Sequence, residues 1–311
     1  MRIIISICIP TYNRLPFLKK LLDSFSDGFG GYPYEIVIAD GGSTDGTLEY
    51  LRKRDDVKLI EQGKLTGAVK ACNTCLKIAQ GKYAILVSDD MTIVPEVIKK
   101  SCELMDKEEK ISLVMPKAYE PEFGHLHRVS LAERYYWLLY GKSFLFRTSA
   151  LKEMNYIDET YRTYSLESDS AFSILKLGYT IIFTKEIGIN HYRAEDIEKN
   201  KARNVNKDNK TLDKERKYFD KKWGSLMAEV ENYIKNDPSK KRKALFYRRL
   251  IATMFYAKWL RPFLKISKKG SMKMYDWIMD RSLIFKDEKY RHMKNFVLAQ
   301  KLPDEILSAI N

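Results

Sequence analysis

No apolar run in this 311-residue chain approaches the roughly 20 residues that a membrane-spanning helix needs. The longer runs, such as 3–10 and 250–257, stop far short, which excludes a spanning helix. Met1-Arg2 leads straight into Ile3-Ile4-Ile5 with no Ala-x-Ala-like cleavage site, so the start reads as a buried strand and not as a signal segment. Cysteine is scarce. Of Cys8, Cys72, Cys75 and Cys102, only Cys72 and Cys75 are close-spaced, and they have neither a second pair nor a nearby His. The expectation is therefore two thiols on a helix in a reducing cytosol and no zinc site. Internal repeats and low-complexity tracts are missing. Acidic residues are missing where basic ones are densest: residues 238–275 carry 12 Lys and Arg and no Asp or Glu. Residues 1–190 balance at 25 basic and 25 acidic, so the whole excess of +14 comes from 191–311, with 30 against 16. That asymmetry points to an anionic partner for the C-terminal part.

What is present suffices for a core. The chain is 45% hydrophobic, which excludes disorder, and its length predicts two domains more readily than one. Strand signals at 3–9, 35–39, 57–60, 83–87 and 111–115 alternate with helical spacing at 15–25, 44–51, 68–79 and 95–105. Pro10 is expected to end the first strand, and Ser43 or Thr44 to cap the second helix. Four β-α units in 115 residues predict a largely parallel sheet with helices on both faces. Further on, 144–147, 180–183 and 187–190 read as strands and 168–176 as a helix stopped by Gly178. The composition turns basic and aromatic after Asp237-Pro238, and a boundary is expected near Trp223-Gly224.

In parallel sheets ligands bind beyond the carboxyl ends of the strands, and chemically capable residues sit there. Asp89-Asp90 follows the fourth strand. Adjacent carboxylates repel each other, and a divalent cation relieves that repulsion and offers a place for a diphosphate. Hard oxygen ligands suit magnesium or manganese. The competing structural reading is a solvated turn before Pro95. The glycine-rich turn 40–47 lets backbone approach a ligand, but it is neither a P-loop nor Gly-x-Gly-x-x-Gly. Asp40 at its start could accept hydrogen bonds from a base edge or ribose. Glu167 and Asp169 open a helix, where the dipole alone favours acids; either could also be a general base. His191 follows a strand.

In order and spacing, these pieces resemble the inverting family 2 glycosyltransferases of GT-A fold. The pieces are 6–14 (SICIPTYNR), 35–47 (EIVIADGGSTDGT), 67–73 (GAVKACN), 79–83 with Ser88-Asp89-Asp90, and 141–147 with Ile157-Asp158-Glu159. They continue with Glu167-Ser168-Asp169 before Gly178, then His191 and Lys222-Trp223-Gly224. The resemblance implies an α/β GT-A domain at 1–224, Rossmann-like with a mostly parallel sheet, and a helical C-terminal extension at 225–311. It implies that Pro10, Thr11, Tyr12, Arg14, Asp40, Ser43, Lys70, Asn73, Ser88 and Asp89 face a donor nucleotide. Asp89, Asp90 and His191 would hold Mn2+ or Mg2+, and Glu167 or Asp169 would be the base. Two departures stand out. Val87 occupies the place of the first Asp of the usual Asp-x-Asp metal motif, so on this resemblance the ribose contact is either missing or moved to Ser88. Counting back from Gly178, Glu167 takes the usual place of the base and Asp169 lies two residues later.

The implied activity is metal-dependent transfer of a sugar, UDP-linked by default, to a saccharide or lipid-linked acceptor in surface polysaccharide or glycolipid synthesis. The basic, aromatic stretch 238–275 reads either as a helix packed on the catalytic domain or as a peripheral membrane surface on the inner face of the cell membrane. Each basic residue near an anionic leaflet is worth about 1 kcal/mol. Nucleic-acid binding is disfavoured because no recognition motif accompanies the charge. A following helix with Met274, Trp277, Ile278 and Leu283 could pair with it or dimerise. The competing reading is a degenerate GT-A scaffold serving as a membrane- or nucleic-acid-binding adaptor.

Overall fold

The structure, a computed structural model, describes residues 4–121, 125–126, 143–162, 166–192, 209–242, 285, 289 and 297–310. Strands β1 (Ile5–Thr11), β2 (Tyr34–Asp40), β3 (Val57–Glu61) and β4 (Tyr83–Leu86) form one half of a mixed sheet. The other half holds β5 (Met91–Ile93), β6 (Ile111–Glu120), β7 (His125–Leu126), β8 (Phe144–Arg147), β9 (Thr180–His191) and β10 (Val297–Gln300). The main order is β10-β9-β6-β8-β4-β1-β2-β3, with β5 also pairing β9 and β7 pairing β6. The β3-β2-β1-β4 half is parallel, as the β-α alternation predicts. Strand β8 enters antiparallel between β4 and β6, so the sheet as a whole is mixed.

The helices are α1 (Leu15–Asp23), α2 (Thr47–Leu51), α3 (Ala68–Ile78), α4 (Pro95–Lys107), α5 (Thr148–Glu153), α6 (Leu166–Lys176), α7 (Asn209–Asn236) and α8 (Asp304–Ile310). Two apolar layers sandwich the sheet. Ile5, Ile7 and Ile9 of β1 pack in the layer with α1 and α4, while Cys8 packs in the layer with α3, α6 and α7. Both faces of β1 are thus buried, which is why its sequence is continuously apolar instead of alternating. All four cysteines are buried free thiols.

Several expected boundaries move, each for a physical reason. Strand β1 does not stop at Pro10 but runs on to Thr11 beside β2. Pairing with β4 ends at Cys8–Leu86, so the N–H that Pro10 lacks falls on a side with no ladder left to complete. Strand β6 likewise continues through Pro116. The β6–β9 register shifts between Met115 and Lys117, and a side chain at Gly188 would meet the Pro116 Cβ at 2.8 Å. The two short strands expected at 180–183 and 187–190 are one strand with irregular register. Helix α2 begins only at Thr47, without Ser43 or Thr44 as cap.

The division expected at residue 224 falls inside α7, which runs unbroken through Trp223 and Gly224. Phe219, Trp223, Leu226, Val230 and Ile234 recur every three or four residues and are buried. They join the same core as α6, and Leu302 and Ile306 at the chain's end close over it. Residues 297–300 then add β10 antiparallel to β9. Gly141, Lys142, the basic stretch from 243 to 275 and the helix expected around Trp277 lie outside the described residues. Among the described residues, no helix is long and apolar enough to cross a membrane.

Leu226 lies beyond the expected boundary and is 3% exposed. We expect Leu226→Ala to cost about 2–5 kcal/mol in urea unfolding, within one cooperative transition. A separate low-stability transition would contradict the shared core.

Candidate active site

The parallel strands deliver their last residues to one edge of the sheet. There, Gly41 N–H donates to the Thr11 carbonyl at 2.9 Å and Val87 N–H to the Cys8 carbonyl at 3.1 Å, joining the loops after β1, β2 and β4. Asn13 turns the first loop with φ +52°, a conformation that Asn tolerates. Its N–H donates to Ser43 Oγ at 2.9 Å, and its side-chain oxygen accepts from Thr44 N–H at 2.7 Å. Asp45 accepts from Leu15 N–H and from Thr47, so it shapes the loop. Gly42 has φ +86°, and a Cβ there would stand 2.8 Å from the Gly63 carbonyl oxygen, so only glycine fits.

The carboxylates of Asp89 and Asp90 converge on one guanidinium. Arg14 Nη1 donates to Asp89 Oδ1 at 3.0 Å and to Asp90 Oδ2 at 2.9 Å. Thr11 Oγ1 donates to Asp89 Oδ2 at 2.8 Å. Two further partners of Asp90, His191 and Tyr192, reach it through local strand pairing. Strand β5 pairs antiparallel with β9, setting Met91 opposite His191, and Tyr192 N–H donates to the Asp90 carbonyl at 2.9 Å. His191 Nε2 therefore lies 3.6 Å from Asp90 Oδ1. Burial pushes the Asp90 carboxyl up, but the hydrogen bond and charge of His191, with those of Arg14, outweigh it and hold the carboxyl well below the usual range.

A further acid stands behind the imidazole. Glu120 Oε1 lies 3.5 Å from His191 Nδ1, and Glu120 is 2% exposed. The sequence reading missed it by ending β6 at Met115. Little in the sequence signals it, since Lys117, Ala118 and Glu120 are poor strand formers; the pairing with β9 carries β6 as far as Tyr119 opposite Asn190. A carboxylate behind an imidazole fixes its tautomer and orientation.

The two acids of α6 divide. Asp169 is 1% exposed and faces three donors. Trp223 Nε1 donates to Oδ1 at 2.7 Å and Tyr161 Oη at 3.1 Å, while Lys222 Nζ lies 2.8 Å from Oδ1. Burial raises its carboxyl, and these donors offset the rise only in part. Lys222 also donates to Asp158 Oδ2 at 2.8 Å. The Lys222-Trp223 pair thus ties α7 to α6 through Asp169. Glu167, two residues earlier and so on the opposite side of the helix, is half-buried. Burial raises the Cys72 thiol, and the charges of Cys75 and Glu167 add to the rise.

Other expected donor contacts fall elsewhere. Asp40, expected at a base edge, is fully buried and turned into its own loop. Its Oδ1 accepts from Gly42 and Ser43 N–H, both at 2.9 Å, and its Oδ2 from Ser43 Oγ at 2.5 Å. Ser43 is occupied by the same network. Asn73 does not join the acidic cluster, because its carboxamide donates to the Ile157 carbonyl and Glu159 and accepts from Ile157 N–H. Lys70 is exposed on the first turn of α3. Pro10 and Tyr12 are half-buried and Ser88 is exposed at the strand ends. The position of a Cβ at Gly41 lies 3.1 Å from Leu65 and 3.4 Å from the Tyr12 ring, so these two side chains flank the glycine backbone. Leu65 is 59% exposed, an apolar surface that the sequence reading passed over.

Residues 6–170, more than half of the chain, match the family model described as Glycosyl transferase family 2. The chain is 32% identical over 112 residues to a dolichol-phosphate mannosyltransferase of Pyrococcus furiosus, covering 35% of this chain and 32% of that protein. It is 30% identical over 107 residues to the poly(ribitol-phosphate) beta-N-acetylglucosaminyltransferase TarS of Staphylococcus aureus, covering 33% and 19%. The chain thus matches about a third or less of the length of these relatives. The structure of TarS 1-349 in complex with UDP-GlcNAc superposes with a TM-score of 0.51 at 21% identity, covering 61% of this chain and 59% of that one. The mannosyltransferase PcManGT from Pyrobaculum calidifontis, in complex with GDP-Man and Mn2+, does so with a TM-score of 0.51 at 16% identity, covering 91% and 73%. These likenesses identify the fold as GT-A.

The Asp158 carboxyl gives a pH test of a second tie to α7, the one between the segment after α5 and Lys222. Burial pushes it up, but Lys222, Thr160 and Tyr218 outweigh burial and bring it down to about 2. A depressed carboxyl stabilises above its unfolded value and loses that contribution as pH falls through its folded value, here between about pH 4 and pH 2. Asp158→Asn is expected to lower stability at pH 7 by up to about 2 kcal/mol, with the difference from the parent closing towards pH 2. A pH-independent difference in urea unfolding would contradict the ion pair.

Proposed function

The chain belongs to glycosyl transferase family 2, and on that footing we propose that it moves a sugar from a nucleotide-diphosphate donor to an acceptor hydroxyl with inversion. The donor in this reading is a UDP-sugar and the acceptor a saccharide or lipid-linked glycan of a surface polysaccharide or glycolipid. One observation carries the reading. Thr11, Arg14, Asp89, Asp90 and His191 meet at the carboxyl ends of the parallel strands. That is where an α/β sheet binds its ligand. Two structural neighbours are solved with donors of this class, UDP-GlcNAc and GDP-Man.

Asp89, Asp90 and His191 are of the donor types that hold Mn2+ or Mg2+, though among the described residues no three acidic, histidine or cysteine side chains stand as a ready-made metal site. Two carboxylates aim at one point, and an imidazole stands beside them. Mn2+ or Mg2+ held by Asp89, Asp90 and His191 would supply positive charge for the leaving diphosphate. The chain's own groups do the rest. Arg14 adds a cation beside the same site. The Tyr12 ring and Leu65 form apolar walls for a base over Gly41, and exposed Ser88 offers a hydroxyl to a ribose. Glu167 takes the acceptor's proton, since Asp169 is turned into the Trp223, Tyr161 and Lys222 network. The basic stretch 238–275 would hold the enzyme against an anionic leaflet carrying a lipid-linked acceptor.

The reading is tested by thermal shift with UDP, GDP, CMP and dTDP, each with and without manganese. A ligand at 100 times its dissociation constant adds about 2.7 kcal/mol. A manganese-dependent rise with one nucleotide is expected, and Asp90→Ala should remove that dependence. No rise with any nucleotide would favour a degenerate scaffold. Glu167→Gln is expected to slow nucleoside diphosphate release to a saccharide acceptor by about 10²–10⁴-fold with donor binding unchanged. A full-rate Glu167→Gln enzyme would remove Glu167 as the base.

A further inference from the structure

A cleft of about 450 Å³ opens in the layer of α3, α6 and α7, closed on one side by the segment that follows α5. Its volume lies within the roughly 300–1,000 Å³ of small-molecule sites. None of Thr11, Arg14, Asp89, Asp90 and His191 lines it. The charged groups of the cleft answer one another. Lys222 Nζ lies 2.8 Å from both Asp158 and Asp169, and Lys77 Nζ donates to Glu159 at 3.1 Å. Asn73 is engaged by Ile157 and Glu159. The neutral polar groups are different. Among the described residues, the side chains of Asn155 and Ser173 and the Tyr156 hydroxyl, all in the lining, hold no hydrogen bond. Asn155 and Tyr156 also stand in succession at φ +60° and +62°. A bulky side chain rarely adopts this region, and backbone strain of this kind gathers at ligand clamps. The Tyr156 N–H, donating to the Leu151 carbonyl at 2.9 Å, holds the turn in place.

We infer that this cleft is a second carbohydrate site, apart from the acidic cluster, that takes a neutral mono- or disaccharide unit. The pairing of its charges decides the ligand's charge. An anion would find no uncommitted cation there. A cation would have to draw Asp158 or Asp169 away from Lys222, and breaking a buried pair is costly. An apolar ligand would leave the polar lining unpaired. A neutral polyol meets none of these costs. Its hydroxyls both donate and accept, as do the Asn155 carboxamide and the Ser173 and Tyr156 hydroxyls. Tyr156 adds an aromatic body, apolar on its face and polar at its tip, which suits a sugar ring with one C–H face. Helix α6 links the cleft to the proposed chemistry, since Glu167 opens that helix and Ser173 stands about 9 Å along it. A saccharide held here is then part of a longer acceptor, anchored away from the unit that reacts. That anchoring role rests on the transferase reading, whereas the site itself does not.

The test screens the full chain on an array of neutral and acidic oligosaccharides and titrates the strongest neutral hit by calorimetry. Tyr156→Gly, which removes the ring at a backbone position glycine accepts, and Ser173→Trp, which fills the cleft, are each expected to weaken that hit by about tenfold or more. Asn155→Gly also keeps the left-handed turn, and it decides the matter if the two larger changes do not fold. Asp90→Ala and Glu167→Gln should bind the hit as the parent does. An array with no neutral hit, or with acidic hits alone, overturns the proposal. So does a hit that the folded cleft variants bind at full strength, or one that Asp90→Ala loses. Thermal shift with UDP on the same protein separates the two readings. Nucleotide binding without saccharide binding removes the cleft site and leaves the transferase reading standing. Saccharide binding without nucleotide binding keeps the site and removes its anchoring role.

Discussion

Two carboxylates placed side by side in a closed cleft need a positive partner, or one of them must take up a proton. The architecture around Asp89 and Asp90 answers that requirement. Strand β1 ends so that Thr11 and Arg14 face the pair, and β5 folds back on β9 so that His191 approaches from the other side. Glu120 is then brought in behind the imidazole by the parallel run of β6 and β9. Each contact comes from a different segment; those of Thr11, His191 and Glu120 follow from sheet register, while Arg14 reaches the pair from the turn between β1 and α1. The site is a property of the sheet edge more than of any loop.

The part of this that was legible in the sequence is the part written in short patterns. Alternating β and α signals located the parallel half of the sheet, because a strand buried on both faces is a plain apolar run. The acids and glycines after those strands marked the ligand edge. What stayed hidden depended on pairing. Pro10 and Pro116 read as strand ends, and neither is, because their missing N–H groups fall where no ladder bond is needed or where the register slips. That error concealed Glu120.

Residue chemistry alone also leaves open which polar groups the chain itself occupies. Asp40 and Asn73 carry the right atoms for ligand contact, but neighbouring backbone N–H and carbonyl groups claim them first. Such competition between a ligand and the chain's own turns is invisible without coordinates. The same holds for the α6 acids. Spacing from Gly178 left Glu167 and Asp169 side by side as candidates, and only coordinates show the donors gathered around Asp169.

The last strand has a practical consequence. Strand β10 caps the free side of β9 between Thr184 and Ile181, and α8 covers the far end of the apolar stripe on α7. A shortened protein ending near residue 224 would keep every group of the acidic cluster. It would also present a bare row of β9 backbone donors and acceptors to solvent. Uncovered edges of that kind recruit other strands, so such a fragment is suited to self-association more than to crystallography. The far end of the chain acts as a guard against aggregation for the strand that carries His191.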